Sequence, residues 1–428
     1  MTTSIPKPTT AQQWLAYIEA LHPKSIAMGL ERVSAVAKQL NIKPSFPIIT
    51  VAGTNGKGST CAILSQIYTE AGFAVGCYTS PHLLRYNERV RINHQDISDA
   101  DLCRAFDAIE EARGNIALTY FEMGTLAAMW HFCQAKLDVV ILEVGLGGRL
   151  DAVNIFEPAC SIITTIDLDH MEYLGDTREK IGFEKAGIFR PNVFAICGDE
   201  NPPNSLIGYA EQLNTPLKLI NRDFSVKKTA NGWQYTEKQN DFLLPNLGLH
   251  GEFQLNNAAC AVCAVQYLTI FLPVKISHIQ SALNTVNLVG RFYSISTNPN
   301  VIVDVAHNPH AALSLAHNLQ AAPCAGSTFA VFAMLADKDI NGVIQAVLPH
   351  INQWFIADNH SVRGAKVKEL NDKLIQNNPN AQIHSFTDVA SALVAACDIA
   401  TKNDRIIVFG SFYTVADAID YIANKKIN

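Results

Sequence analysis

Charge is scarce in this chain: Asp, Glu, Lys and Arg make up 17% of its 428 residues, against 48% hydrophobic residues. That balance excludes a disordered or fibrous chain and describes a soluble globular one. No stretch reaches the roughly 18 uninterrupted apolar residues that a membrane span needs. Met1 to Thr10 contains no apolar run of the kind that a secretory signal carries. These absences predict a cytoplasmic protein with no membrane partner. A basic excess is missing too, since 33 Lys and Arg face 39 Asp and Glu for a formal charge of -6. A general nucleic-acid binder is thereby excluded, and any basic site must be local. The ten cysteines stand singly in apolar segments, as at Cys61, Cys133 and Cys397, which suits reduced, buried thiols. Only Cys260 and Cys263 form a C-x-x-C, with no second Cys or His pair at zinc spacing, so they read as packing inside the alanine-rich helix Asn257 to Tyr267. No fixed-period repeat occurs either.

What is present is an alternation. The length exceeds what one hydrophobic core serves, so two or three domains are expected. Trp14, Leu15, Ile18 and Leu21, then Leu30, Val33, Ala37 and Leu40, recur at three- and four-residue steps and predict two helices joined by a loop from His22 to Gly29. From Pro47 onward, short β-branched runs end in glycine-rich or polar turns and lead into helix-period segments. The clearest strands are Ile48 to Ala52, Val139 to Val144, Ile162 to Ile166 and Val193 to Cys197. This pattern predicts a parallel sheet with helical crossovers. Asn221 to Leu249 reads as a small β excursion with a hairpin turn at Asn231-Gly232. Alternation restarts at Val301 to Val305 and continues through Phe329 to Met334, Trp354 to Ala357 and Ile406 to Gly410. The expected fold is α/β: a P-loop parallel-sheet ATPase domain over 1–287, then a smaller Rossmann-like domain over 288–428.

Gly53-Thr54-Asn55-Gly56-Lys57-Gly58-Ser59 lies between the strand Ile48 to Ala52 and a helix from Ser59 to Ala71. Such a turn aims backbone N–H groups and a helix dipole at one point. Lys57 can bridge outer phosphates, and Ser59 or Thr60 can reach magnesium. The match to a Walker A pattern is imperfect, because Val51 stands where glycine is wanted and Gly58 separates Lys57 from the hydroxyl residue.

Ligands of a doubly wound sheet sit beyond the carboxyl ends of its strands. Glu143 ends one strand ahead of Gly145-Leu146-Gly147-Gly148-Arg149-Leu150-Asp151 and is the first magnesium candidate. Asp167-Leu168-Asp169-His170 and Thr79-Ser80-Pro81-His82 follow other strands, where a helix-cap or turn role is the alternative. Lys185, in Phe183 to Ile188, reads from the residues alone as a surface lysine, or as a reactive amine if buried. A site between the two domains would bring Arg291, Asp304 and His307 over the nucleotide.

Taken together, these segments resemble the bifunctional dihydrofolate synthase/folylpolyglutamate synthases, relatives of the Mur ligases. The resemblance runs from His22-Pro23 and Met28-Gly29-Leu30 through Gly53 to Ser59, Ser80 to Leu83, Leu118 to Thr125, Leu142 to Asn154, Asp169-His170 and Glu184 to Arg190. It resumes at Gly290-Arg291-Phe292, Asp304 to Pro309 and Gly410-Ser411-Phe412. It implies ATP-dependent attachment of L-glutamate to dihydropteroate and then to reduced folates, by a monomer. ATP would be held by Asn55, Gly56, Lys57, Gly58 and Ser59, with Asn257, Arg291 and Asp304. Two Mg2+ sites would draw on Ser59, Ser80, Glu143 and His170, with Lys185 carboxylated beside the second. Met28, Gly29, Thr119, Tyr120, Phe121, Glu122 and Asp151 would meet dihydropteroate, although Asp151 can instead cap the following turn. His307 and Ser411 would receive glutamate. Tyr413 stands where the family often has histidine, and residues 201–246 match no motif.

Two rivals remain at this stage within the same chemistry: a monofunctional folylpolyglutamate synthase, and a Mur-type amino-acid ligase. The second is expected to need a nucleotide-sugar domain ahead of the first strong strand at Ile48. From another class, a nucleotide-hydrolysing switch would turn over ATP or GTP without small-molecule co-substrates.

Overall fold

The computed structural model describes residues 7–24, 26–238, 240–359 and 361–427. The first six residues, in the stretch read above as no secretory signal, and Ser25 in the predicted loop lie outside the described residues. By its internal contacts the chain forms two compact units, Met1–Leu247 with Leu255–Val286, and Gly248–Gln254 with Asn287–Asn428.

The first unit is built on strands β1 (Ile48–Ala52), β2 (Val75–Tyr78), β3 (Val90–Ile92), β4 (Gln95–Asp96), β5 (Val139–Glu143), β6 (Cys160–Ile163), β7 (Phe194–Cys197) and β8 (Leu217–Leu219). They make one sheet in the order β4-β3-β2-β5-β1-β6-β7-β8. All neighbours from β2 to β8 run parallel, and only β3 and β4 are antiparallel additions. Strands β1, β5, β6 and β7 are buried along their whole length. This is why they read as continuous apolar runs: helices cover both faces of a parallel sheet. The N-terminal helices Ala11–Leu21 and Glu31–Gln39 bury Trp14, Ile18, Val33 and Val36 in a cluster with Phe106 and Met129. β1 is central, and registers pairing Val51 with Glu143 and Ala52 with Ile163 bring the carboxyl ends of β5, β1 and β6 to one level.

Two expectations shift. The run expected as a strand from Ile162 to Ile166 forms β6 only to Ile163: Thr164 N still donates to Ala52 O of β1, but Thr165 O accepts from Thr54 N and Ile166 N donates to Asp199. The polar excursion contains a three-stranded antiparallel sheet of β9 (Ser225–Thr229), β10 (Gly232–Glu237) and β11 (Asn240–Leu244). Its first turn falls at Ala230-Asn231 rather than Asn231-Gly232, since Gly232 is already paired with Thr229. Gly232, at φ 147°, is required by close approach, because a Cβ there would overlap the Leu244 carbonyl.

The second unit carries β12 (Tyr293–Thr297), β13 (Asn300–Asp304), β14 (Thr328–Phe332), β15 (Gln353–Ala357), β16 (Gln382–Phe386) and β17 (Arg405–Phe409), in the order β12-β13-β17-β14-β15-β16. All pairs are parallel except β12 with β13. At the amino end of β17 Arg405 is 4% exposed. Its guanidinium donates to the carbonyls of Leu319 and Ala322 at the C-terminus of helix Pro309–Ala321 and to Thr328 Oγ1. A cation at that place satisfies orphan carbonyls and opposes the negative end of the helix dipole. Replacing it strands those carbonyls. Arg405→Leu is expected to lower unfolding free energy by about 2 kcal/mol, seen as a lower urea midpoint at unchanged m; an unchanged midpoint contradicts this role.

Candidate active site

Beyond Ala52 the chain turns where side chains do not fit. Gly53 has φ 151° and Gly56 φ 88°. A Cβ at Gly53 would overlap Thr164 Oγ1, and one at Gly56 would overlap the Asn257 side chain. Gly56 is the N-cap of helix Lys57–Glu70, two residues earlier than the predicted helix start. First-turn N–H groups there have no intrahelical partner and converge with the dipole on one point, as an anion site requires. The loop is lashed to the segment after β6. Thr54 N donates to Thr165 O at 2.7 Å, and Asn55 O accepts from Thr164 Oγ1 at 2.5 Å and Thr165 Oγ1 at 3.1 Å. Asp167 N donates to Thr54 Oγ1 at 3.0 Å, and that hydroxyl donates to Asp167 O at 3.0 Å.

Lys57 Nζ folds back on the carbonyls of Gly53 (3.0 Å) and Thr54 (3.1 Å), which keeps its charge over the loop. Ser59 and Thr60 are buried, and among the described residues neither hydroxyl finds a hydrogen-bond partner. A buried hydroxyl costs free energy unless something bonds it. Glu143, 4% exposed at the end of β5, accepts from Ser80 N at 3.1 Å, joining two proposed metal-side residues. Burial, with the Glu143 charge next in effect, pushes the Cys61 and Cys77 thiols up, which places that carboxylate near the phosphate-loop helix and β2. His170 has φ 51°, and its Nε2 lies 3.9 Å from Asp169 Oδ1. Among the described residues no group of three or more His, Cys, Asp or Glu is arranged to hold a metal. One carboxylate and buried hydroxyls nevertheless suit magnesium, which keeps waters and completes its octahedron from substrate phosphates.

Lys185 is not a surface lysine. It is 3% exposed, near the end of helix Arg178–Ala186. Burial, reinforced by the Lys57 charge and opposed by Asp169 and Asp151, brings its amine down to about 7. Asp151 is also buried, which brings its carboxyl up to about 7 against the pull of the Leu146, Val153 and Gly145 N–H groups and Lys57. It accepts from Leu146 N at 2.8 Å and Val153 N at 3.0 Å, so it does cap the turn Ala152–Ile155.

The loop 145–151 gathers much of the remaining set. Phe121 lies against Gly145, Met28 lies near Gly147, and Gly29 N donates to Leu150 O at 3.4 Å. Thr119 and Glu122 close a capping box on helix Tyr120–Gln134. Glu122 is buried and paired with Arg32 at 3.0 Å, so its carboxylate is engaged inside the protein. Tyr120 packs edge-on against Tyr86 at 5.6 Å, with the Arg89 guanidinium over both rings. Arg89 Nε donates to His82 Nδ1 at 2.9 Å, and burial together with the Arg89 charge pushes that imidazole down to about 4.

In the second unit Asp304, last in β13, accepts from Phe292 N at 2.9 Å and Ala306 N at 2.8 Å. Burial raises its carboxyl to about 6, with Arg291 pulling the other way. Arg291 lies over the Phe412 ring at 5.5 Å. His307 Nδ1 lies 2.9 Å from Val305 O, and since a carbonyl only accepts, Nδ1 carries the proton there. Ser411 is 2% exposed, and its Oγ accepts from Asn359 Nδ2 (3.0 Å) and Thr414 N (3.1 Å), so it holds the start of helix Phe412–Ile427. Sequence reading did not single out Thr54, Thr164, Thr165, Arg32, Arg178 or Asp199. The one signal available was Thr164-Thr165 directly after a buried strand.

Comparison with known proteins places this arrangement. Residues 51–265 match the Mur ligase middle domain and 290–412 the Mur ligase glutamate ligase domain. The chain is 44% identical over 426 residues to dihydrofolate synthase/folylpolyglutamate synthase of Haemophilus influenzae, covering 95% of this chain and 96% of that one. A solved structure of Escherichia coli FolC in complex with DHPP and ADP superposes with a TM-score of 0.93 at 42% identity, covering 98% of this chain and 100% of that chain. A bifunctional folylpolyglutamate synthase/dihydrofolate synthase with Mn, AMPPNP and L-glutamate bound gives 0.89 at 42% identity, covering 97% and 98%. With its strand order, its phosphate loop and relatives of this closeness along nearly its whole length, the chain belongs to the dihydrofolate synthase/folylpolyglutamate synthase family of Mur ligases.

Proposed function

We propose that this chain is an ATP- and divalent-metal-dependent ligase that joins L-glutamate to 7,8-dihydropteroate, and further glutamates to reduced folate tails, through an acyl phosphate. The observation that carries the reading is the phosphate loop with its buried Ser59 hydroxyl, without a partner among the described residues, and Glu143 beside it. A carboxylate does not react with an amine unaided. Its oxygen attacks the γ-phosphorus of ATP, ADP leaves, and the glutamate amine then displaces phosphate at the carbonyl carbon. Loop N–H groups and Lys57 stabilise charge that builds on the transferred phosphoryl group. Magnesium, when bound, neutralises phosphate charge as a Lewis acid, held by Ser59, Ser80, Glu143 and His170. Asn55, Gly56, Gly58 and Asn257 complete the nucleotide cradle; nucleotide-binding roles are also assigned to Arg291 and Asp304, and glutamate-binding roles to His307 and Ser411. Met28, Gly29, Thr119, Tyr120, Phe121 and Asp151 shape the pteroate pocket, and Glu122 acts there through Arg32. The enzyme works as a monomer in the cytoplasm, with no nucleic-acid or membrane partner. No described helix is long and apolar enough to cross a membrane.

Lys185 carries a carbamate in the working enzyme. Its neutral amine adds to CO2 and releases one proton; Lys57, which disfavours the ammonium, favours the resulting anion.

ADP release is expected to require glutamate together with dihydropteroate or a reduced folate; turnover indifferent to both co-substrates sinks the ligase reading in favour of a hydrolysing switch. Because the Lys185 amine titrates at about 7, its reactive neutral form grows as pH rises from 6 to 8. Enzyme stripped of CO2 is therefore expected to regain activity with bicarbonate, increasingly over that range, and 13C-bicarbonate to give a carbamate resonance that Lys185→Ala lacks. Activity indifferent to bicarbonate, with no such resonance, contradicts the carbamate.

A further inference from the structure

The segment after β6 is held from two sides. On one side lies the phosphate loop, through Thr54, Asn55, Thr164 and Thr165. On the other is an ion pair with no part in the chemistry above. Arg178 Nη2 donates to both carboxylate oxygens of Asp199, at 2.8 and 2.9 Å. Asp199 Oδ2 accepts from Ile166 N at 2.7 Å, and Arg178 Nε donates to Ile166 O at 2.8 Å. The pair thus clasps both backbone polar groups of one residue. Asp199 Oδ1 also accepts from Asn201 N (2.9 Å), and Arg178 Nη2 donates to Asn201 O (3.1 Å). Asp199 is 6% exposed, whereas Arg178 is partly open.

The places these groups occupy give the clasp its meaning. Ile166 stands one residue before Asp167, which bonds Thr54 of the phosphate loop, and four before His170. Arg178 is the first residue of the helix that ends with Lys185-Ala186. Asp199 follows β7. One ion pair therefore fixes, relative to each other, the loop, the segment bearing Asp169 and His170, and the helix bearing Lys185. An exposed ion pair contributes little. A pair that satisfies a buried backbone N–H and C=O is of another kind, since each group left unmade costs free energy.

We propose that Arg178 and Asp199 are positioning residues that set the His170 segment and the Lys185 helix against the phosphate loop, and so govern how tightly the nucleotide-bound divalent ion is held. This rests on the ligase reading above. Residues that orient metal ligands from behind typically change metal affinity roughly 10- to 100-fold when removed. The 145–151 loop, assigned above to pteroate, meets the far end of the same helix, where Arg149 N donates to Glu184 O at 2.7 Å and the Arg149 guanidinium pairs with Glu184 at 2.8 Å.

The test uses the full chain with Arg178→Met, Arg178→Lys and Asp199→Asn. Mn2+ affinity is measured by electron paramagnetic resonance with AMPPNP present, beside the melting temperature and KM for dihydropteroate. Arg178→Met and Asp199→Asn are expected to weaken Mn2+ binding about tenfold or more, and to change KM for dihydropteroate by a clearly smaller factor. Arg178→Lys keeps the charge but not the planar fork, so it is expected to fold and to recover only part of the affinity. Variants that melt lower yet bind Mn2+ as the unaltered chain does overturn the proposal, reducing the pair to a structural brace. An unaltered chain that itself fails to hold Mn2+ with AMPPNP overturns the ligase reading, and the proposal with it.

Discussion

A glycine loop is useful to a phosphate only if something stops it moving, and in the first unit that restraint comes from threonine hydroxyls. Thr54 and Thr164–Thr165 exchange hydrogen bonds across the ends of β1 and β6, with Asn55 O taking two of them. The absence of a Cβ at Gly53 and Gly56 lets Thr164 and Asn257 come that close. Everything else in this unit's site is set from there. The β1–β5 register brings Glu143 level with the loop, and the segment after β6 carries on to Asp169 and His170.

Electrostatics then follow from burial. Lys57 keeps its ammonium on loop carbonyls, while Lys185 is out of water and within reach of that charge. The physical result is an amine that titrates near neutrality and a carboxyl at Asp151 that does the same from the other side. Two groups of opposite type pushed toward pH 7 in one region mark a candidate functional site rather than a packing core. The same groups would be a pure cost in a structural core.

Much of this was legible in the sequence because burial on both faces writes itself as apolar runs. β1 appears at its exact limits, and β5, β7, β13, β14, β15 and β17 within two residues. Among the strands that sequence reading did not name, β12 and β16 lack such runs: they lie at the sheet edges, with partly exposed, polar residues such as Ser294, Ser296, His384 and Ser385. The site divides in the same way. Glycines, the lysine and strand-end carboxylates announce themselves by type and place. Burial of Lys185 could not be read from Phe183 to Ile188, because Phe183 is itself exposed while Lys185 points inward. Nor could spacing reveal that Glu122 and Ser411 are engaged by Arg32, Asn359 and Thr414, partners far along the chain or bonded through backbone. The Arg178–Asp199 clasp is invisible for that reason: it joins residues 21 apart through the backbone of a third.

The account stands on one chemical event, the transfer of phosphate to a substrate carboxylate at the loop Gly53–Ser59. Dihydropteroate labelled with 18O in its carboxylate tests it directly. The account predicts that one labelled oxygen per amide bond formed leaves in inorganic phosphate, because that oxygen departs with phosphorus when the glutamate amine attacks. Phosphate released without label, while amide product accumulates, would contradict it.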